Sequence, residues 1–391
     1  MSNKFNLWLK DEISLTKKNK LHRVLTQIDS GMSPEIMIGG KKYIQFASNN
    51  YLGLTLNNDV INYALKSLKK FGTGTGGSRL VTGTSILHNK LEKIIADFKN
   101  TEDSIVFSSG YLANIGTISS IMNKNDYIFS DELNHASLID GARLSKSKII
   151  IYKHNDMKDL EKKLKKLKDS KCKKMILTDS VFSMDGDIAP LDIIVELSEL
   201  YGCITMIDEA HATGVLGEKG SGASEYFNVQ KKIDICMGTL SKAIGSVGGY
   251  VAGSKTLIDF LKNRARSFIF DTSLPTSALS ASMKSISLIK KSNGPRNKLI
   301  SNMNLLHKFL EKNDFNFIYS GTPIIPIIIG DEEKTLKVSK LLKENGIYIP
   351  AVRPPSVPKG SSRIRITLMS NHSNKHLDKL KKVLKKIQKI K

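Results

Sequence analysis

The stretch "PLDIIVELSELYGCITMIDEAH", residues 190–211, decides the fold. Pro190 stands where a helix can begin and Gly202 where one ends. A short apolar run then leads to Asp208 and His211. Working outward, "KMILTDS" (174–180) lies before it and "DICMGTL" (234–240) after it, with "KIIIYKH" (148–154) further back. Each is short, apolar and closed by polar residues, as a strand buried on both faces should be. "HNKLEKIIADF" (88–98) instead puts Leu91, Ile94, Ile95 and Phe98 on one helical face. Strand, helix, strand in this order predicts an α/β fold with a mainly parallel central sheet, whose chemistry gathers at the carboxyl ends of the strands. Asp208, His211 and Lys242 emerge at such ends.

Beyond about residue 290 the texture changes. "SNGPRNK" (292–298) reads as a linker, and "GTPIIPIIIG" (321–330) opens a smaller domain. The expected division is an N-terminal segment 1–47, a large cofactor-binding domain 48–288 and a small C-terminal α+β domain 289–391.

Composition sets the setting. The chain has 391 residues, 40% hydrophobic and 25% charged, enough for a globular protein with a substantial core. Charges interrupt the N-terminal "MSNKFNLWLKDEISL", and no stretch approaches the ~18 apolar residues of a membrane span, so a soluble cytoplasmic protein without membrane contact is expected. Cys172, Cys203 and Cys236 are odd in number and widely spaced, which predicts neither disulfides nor a metal site. The net charge of +23 comes from 60 Lys and Arg against 37 Asp and Glu. Much of it lies in amphipathic helices such as "LEKKLKKLKD" (160–169) and "LDKLKKVLKKIQKIK" (377–391), where lysine fills the outer face. No aromatic residues interleave to stack bases, so no nucleic-acid partner is expected.

Two motifs need weighing. Gly72, Gly74 and Gly77 in "GTGTGG" satisfy G-x-G-x-x-G, but the helix-like "NYALKSLKKF" precedes them where a dinucleotide site requires a strand. A closely approached loop is the reading that stands. "MGTLSKAIGSVGGY" (237–250) sets one lysine, Lys242, among small residues that let a planar ligand come near. Taken singly, Asp208 would be a turn cap and His211 a surface histidine. An aspartate at one strand end and an amine after the next strand is, however, the layout pyridoxal phosphate needs: a lysine for its aldehyde and a carboxylate to keep its ring nitrogen protonated.

"DEAHATG" followed by "GTLSKAIGSVGGY" resembles the α-oxoamine synthases, pyridoxal-phosphate enzymes of fold type I (aspartate-aminotransferase-like) that condense an amino acid with an acyl thioester and release carbon dioxide. "FASNNYLGL", "GTGGSRLVTGT", "SSGYLAN", "DELNHASLIDGA", "DSVFSMDGDIAPL" and "SSRIRITLMSNH" follow in that family's order along nearly the whole chain. The resemblance implies roles. Lys242 would hold pyridoxal 5'-phosphate through its aldehyde and later act as the base, Asp208 would pair with the ring nitrogen, and His211 would bond the ring hydroxyl oxygen. His135 would stack on the ring and help orient or protonate the acyl carbonyl, with Ser183 on the ring-hydroxyl side. The backbone of Gly110 and Tyr111 and the hydroxyl of Thr239 would meet the phosphate, joined by Thr272 from the second subunit of a homodimer. Arg365 would clamp the amino-acid carboxylate, and Arg23, Asn50 and Arg353 complete the substrate-binding set.

Three positions depart from the commoner family pattern: Ala212 after His211, Asn50 in "NNYLGL", and Thr276 after Pro275. None removes a catalytic group, although Asn50 also occurs in glycine-using members. "AVRPPSVPKG" (351–360) instead resembles members that join L-alanine to a pimeloyl thioester, since Arg353 offers a guanidinium to the polar end of a dicarboxylic chain. Glycine with acetyl coenzyme A is the alternative pair, and an inactive basic binding protein on the same scaffold is the alternative of a different class. The acyl carrier, coenzyme A or acyl carrier protein, is left open.

Overall fold

The computed structural model describes residues 3–19 and 21–388. Its chain forms two compact units. One comprises Asn49–Ser183 and Asp187–Leu299, and the other comprises Met1–Ser48, Met184–Gly186 and Ile300–Lys391.

The larger unit holds the seven-stranded sheet. Across it run Asp103–Phe107, Gly249–Gly253, Ile235–Thr239, Ile204–Asp208, Lys174–Asp179, Tyr127–Asp131 and Lys148–Tyr152. Only Gly249–Gly253 runs against the rest, antiparallel to both of its neighbours. The other pairings are parallel, as the alternation of strands and helices predicts. Every residue of Lys174–Asp179 is buried, which is why its sequence carries no apolar–polar alternation. Helix Leu191–Tyr201 starts behind Pro190 and stops at Gly202, whose φ of 60° is left-handed. The parallel register sets Asp179 opposite Asp208, and Thr239 faces Gly249, so one edge of the sheet collects polar strand ends.

"SNGPRNK" is not the linker expected. Helix Gly294–Lys312 begins inside it, because proline in a first helical turn loses no hydrogen bond the helix would have made. Arg296 is buried there, donating to the carbonyls of Ile289 at 3.1 Å and Glu218 at 2.7 Å.

The unit containing both chain ends carries two small sheets. Glu35–Ile38, Lys41–Gln45 and Ile347–Tyr348 form one; Ile324–Gly330, Ser362–Thr367 and Ala351–Val352 form the other. Pro326 is tolerated because Ile324–Gly330 is an edge strand. Helix Asn374–Gln388 buries Leu377, Leu380, Val383 and Leu384, and the last three residues of the expected basic helix lie outside the described residues. "GTGTGG" follows helix Asn58–Phe71 as irregular chain, so the context for a dinucleotide site is missing.

Candidate active site

Asp208 ends its strand almost fully buried, 3% exposed. Its Oδ1 accepts from the backbone N of Ala210 at 2.8 Å, and its Oδ2 from Nδ2 of Asn114 at 2.8 Å. The same Asn114 amide donates to Ser137 Oγ at 2.8 Å, so helix Gly110–Ile121 and helix Ala136–Leu144 are both referenced to this carboxylate. On the next strand, Asp179 accepts from the backbone N of His135 at 2.6 Å. Burial, reinforced by the charge of Asp208, pushes the Asp179 carboxyl well above its ordinary range.

His135 caps helix Ala136–Leu144: its Nδ1 accepts from Ser137 N at 3.3 Å and lies 2.8 Å from Ser137 Oγ. In the neutral ring the proton therefore sits on Nε2. The residue is exposed on one side, but the protein packed around the rest lowers its pKa, and the charge of Lys242 acts in the same direction against the pull of Asp208. His211 is buried, with Nδ1 2.5 Å from the Tyr51 hydroxyl.

Lys242 lies in the turn between strands Ile235–Thr239 and Gly249–Gly253, half-buried. Leu240 N bonds Gly248 O at 2.9 Å and Gly245 N bonds Lys242 O at 3.0 Å. The small residues now have a cause. A Cβ on Gly245, whose φ is +72°, would stand 2.9 Å from the Thr55 backbone N, and one on Gly249 would stand 2.5 Å from Ser109 O and 2.6 Å from Gly110 Cα. Gly249 thus lets the start of helix Gly110–Ile121 press against the sheet. Ser109 caps that helix, accepting from Leu112 N at 3.1 Å, and buried Thr239 stands beside Gly110. Tyr111 is exposed and its hydroxyl bonds Asp140.

The larger unit therefore brings Lys242, Asp208, His135, His211, Gly110, Tyr111 and Thr239 to one edge of one sheet. Ser183 is half-buried within the hairpin in which Val181 pairs with Ile188. Thr272 is exposed and bridges to Ser78. Asn50, 4% exposed, donates to Thr55 Oγ1 at 2.7 Å. The other unit holds the three arginines. Arg23 and Arg353 line one cavity of about 610 Å³ with Tyr348 and Val352, and Arg23 donates to Ser356 Oγ at 3.2 Å. Arg365, on strand Ser362–Thr367, is buried and donates to Thr367 Oγ1 at 2.8 Å.

Sequence reasoning passed over Tyr51, Asn114 and Asp179. Each stands inside or beside a stretch that carries the family resemblance, but a hydrogen bond between residues 51 and 211, or 114 and 208, has no local signature.

This edge fits a phosphorylated pyridine aldehyde. Two buried carboxyls, Asp179 and Asp208, sit on neighbouring strand ends; burial first and the charge of Asp208 second hold Asp179 above its ordinary range, and a protonated ring nitrogen at Asp208 would relieve the second of these. An amine for the aldehyde stands within electrostatic reach of Asp179 and His135, and a helix N-terminus is ready for the phosphate.

Comparison with known proteins agrees. The family model for class I and II aminotransferases matches residues 41–384. An 8-amino-7-oxononanoate synthase of Lysinibacillus sphaericus is 50% identical over 378 residues, covering 97% of each chain. The 8-amino-7-oxononanoate synthase 2 of Bacillus subtilis (strain 168) is 48% identical over 377 residues, 96% of each. Among solved structures, a serine palmitoyltransferase from S. paucimobilis with a bound PLP–myriocin aldimine superposes with a TM-score of 0.93 at 31% identity, covering 98% of this chain and 97% of that one.

Proposed function

This chain belongs to the class I and II aminotransferase family, and from that premise we infer that it joins L-alanine to a pimeloyl thioester, giving 8-amino-7-oxononanoate, carbon dioxide and the free thiol of the carrier. The observation that carries the chemistry is the gathering of Asp208, His135 and Lys242 at one sheet edge with mutual electrostatic influence. Pyridoxal 5'-phosphate is the cofactor; when bound, its ring stabilises negative charge on the amino acid's α-carbon.

The chain's own groups do the rest. Asp208, oriented by Asn114 and Ala210, would pair with the ring nitrogen and keep it protonated. The Lys242 amine would hold the cofactor's aldehyde, and as a free amine it would take the α-proton and return one to the product. His135, kept neutral, covers the ring and donates from Nε2 to the acyl carbonyl oxygen as the new carbon–carbon bond forms. His211, steadied through Nδ1 by Tyr51, bonds the ring hydroxyl oxygen, with Ser183 on that side. Gly110, Tyr111 and Thr239 receive the phosphate. Arg365 grips the amino-acid carboxylate as a two-pronged donor, holding it still for deprotonation and then for loss of carbon dioxide.

The acyl chain is read from Arg23 and Arg353. Two guanidiniums in one cavity suit an acyl chain with a free carboxylate at its far end, which a pimeloyl thioester keeps and a palmitoyl thioester lacks. Sequence identity points the same way, at 50% to the synthase of L. sphaericus against 31% to the serine palmitoyltransferase. Asn50 is a further substrate contact in this reading. We propose a homodimer in which exposed Thr272, next to the outward Phe270, reaches the partner's phosphate site. A cytoplasmic location is proposed too: all three cysteines are free thiols, and no helix among the described residues is long and apolar enough to cross a membrane.

The test is direct. Purified protein loaded with pyridoxal phosphate should be yellow, lose that band on Lys242→Ala, and release carbon dioxide and a ketone from L-alanine with pimeloyl coenzyme A or pimeloyl acyl carrier protein. Turnover of glycine with acetyl coenzyme A, or of serine with palmitoyl coenzyme A, without turnover of the alanine pair would overturn the substrate assignment.

A further inference from the structure

We propose that His154 is a positioning residue for this reaction: an imidazolium that ties the loop presenting His135 to the hairpin presenting Ser183. The proposal rests on the reading that those two residues serve the cofactor. His154 lies just beyond strand Lys148–Tyr152, at the polar edge of the sheet. Its Nδ1 is 3.0 Å from Asp131 Oδ1 and its Nε2 is 2.7 Å from Asp187 Oδ2. Only the doubly protonated ring can donate from both nitrogens; a neutral one would press a lone pair against a carboxylate oxygen. The ring is therefore charged by its geometry.

Its two partners lie on the two segments in question. Asp131 ends strand Tyr127–Asp131 and opens the loop to His135, with Oδ1 also accepting from Leu133 N at 2.9 Å. Asp187 lies on the return arm of the hairpin carrying Ser183, where its carbonyl accepts from Phe182 N at 3.0 Å. Phe182 closes edge-on against the imidazole, 4.4 Å between centroids and at 88°. Asn155 doubles the tie: its backbone N donates to Asp131 Oδ2 at 2.9 Å and its Nδ2 to Asp187 Oδ2 at 2.7 Å. Asn155 sits at a φ of 52°, a left-handed conformation asparagine tolerates better than most residues.

The surrounding charges favour the cation. Glu132 accepts from the His154 backbone N at 2.9 Å, and Asp159 from that of Lys153 at 2.9 Å. Lys153 precedes His154, Asp156 follows two residues on, and the Tyr152 phenol is held up by burial and by Asp131, so it stays neutral. Burial alone would lower the His154 pKa, but hydrogen bonds to Asp131 and Asp187 and their charges outweigh it and raise it to about 10. A raised histidine contributes its full stability below pH ~6.5 and loses it as pH climbs towards the folded value. The clamp is thus closed at neutral pH and opens in alkali.

The experiment begins with cofactor-free full-length protein, using long-range proton–nitrogen spectra of the histidines. His154 should carry protons on both ring nitrogens through pH 8. In His154→Gln the His135 ring signals should move while far-ultraviolet circular dichroism is kept, and the loaded enzyme should lose tenfold or more in kcat with a smaller change in the KM for L-alanine. Asp187→Asn, a milder change, should lower the His154 midpoint by at least one pH unit and bring the alkaline fall in kcat to lower pH by a similar amount. A His154 midpoint near 6.5 in the unaltered protein, or unmoved His135 signals with unaltered kcat in His154→Gln, would overturn the proposal. The spectra need no substrate, so failure to condense alanine would count against the function and leave the clamp standing.

Discussion

Lys99→Met should destabilise the larger unit by about 3–5 kcal/mol, the scale for stripping a buried ion pair of one partner. Lys99 ends helix Ile86–Lys99, and neither its side chain nor that of Glu209 is reached by solvent. The ammonium bonds Glu209 Oε2 and the Ser221 carbonyl, and Thr213 Oγ1 at 2.9 Å, with the Tyr250 ring 5.6 Å away. Burial works against that charge, yet Glu209 beside it outweighs the penalty and holds the lysine above its ordinary range. Glu209 is anchored from its other oxygen by Ser224 N at 2.6 Å, and a Cβ on Gly222 would stand 2.1 Å from Oε2, so the carboxylate has no room to turn towards water. Methionine replaces the apolar stem of Lys99 and leaves a buried anion alone. Lys99→Met/Glu209→Gln removes that anion and should recover about 2 kcal/mol or more. Urea unfolding followed by circular dichroism measures both. A single variant within about 1 kcal/mol of the parent, or a double variant less stable than the single one, would refute the reasoning, since either result means that the pair is not coupled in the way its burial requires.

Three further outcomes are expected. Arg365→Ala should weaken L-alanine binding by about 2 kcal/mol, roughly thirtyfold in a spectral titration, and Arg365→Lys should restore part of it, because an ammonium cannot fork; unchanged affinity in the alanine variant would remove Arg365 from the site. Gly249→Ala places a methyl group 2.6 Å from Gly110 Cα and should push the helix start away from the sheet, raising the dissociation constant for pyridoxal phosphate at least tenfold in a dialysis assay. His372 is locked neutral, Nδ1 accepting from Met369 N at 2.9 Å and Nε2 donating to Gln45 O at 2.9 Å, and burial lowers its pKa to about 4. With the folded value below the unfolded one, stability is complete above pH ~6.5 and falls as pH drops towards 4, by about 3 kcal/mol in all; thermal unfolding across that window should flatten in His372→Gln.

The alternation of helix and strand was legible because each element states its own period: Leu191–Tyr201 between Pro190 and Gly202, and the polar ends of Lys174–Asp179 and Ile204–Asp208, need only local rules. Lys242 could be singled out for the same reason, since small neighbours around one amine mark a close approach. What approaches was not legible. That Gly245 makes room for Thr55, and Gly249 for Gly110, depends on pairings across more than a hundred residues. The reversed strand Gly249–Gly253 is equally silent in sequence, because an apolar run buried on both faces reads alike in either direction. "SNGPRNK" was misread because glycine and proline mark breaks and helix starts with the same letters, and only the buried Arg296 distinguishes them here.

The charge pattern has a physical logic that net charge hides. A chain with a formal excess of +23 buries acidic groups along one edge of its sheet: Asp131, Asp179, Asp208 and Glu209 are all nearly inaccessible. Buried anions persist only with compensation, and here the compensation differs from site to site. Glu209, next to Asp208 in sequence, is answered by Lys99, while Asp131 and Asp187 are answered by His154. Asp179 and Asp208 face the edge itself, and Lys242 only partly offsets the burial and the charge of Asp208 that hold Asp179 well above its ordinary pKa. The fixed pairs hold structure on either side, and the under-compensated pair lies between them, where the proposed pairing of Asp208 with a positive ring nitrogen would complete the balance. The lysines of the outer helices meet at most acids one turn away, as Lys165 meets Glu161 and Lys337 meets Glu333, and solvent and salt screen them from this site.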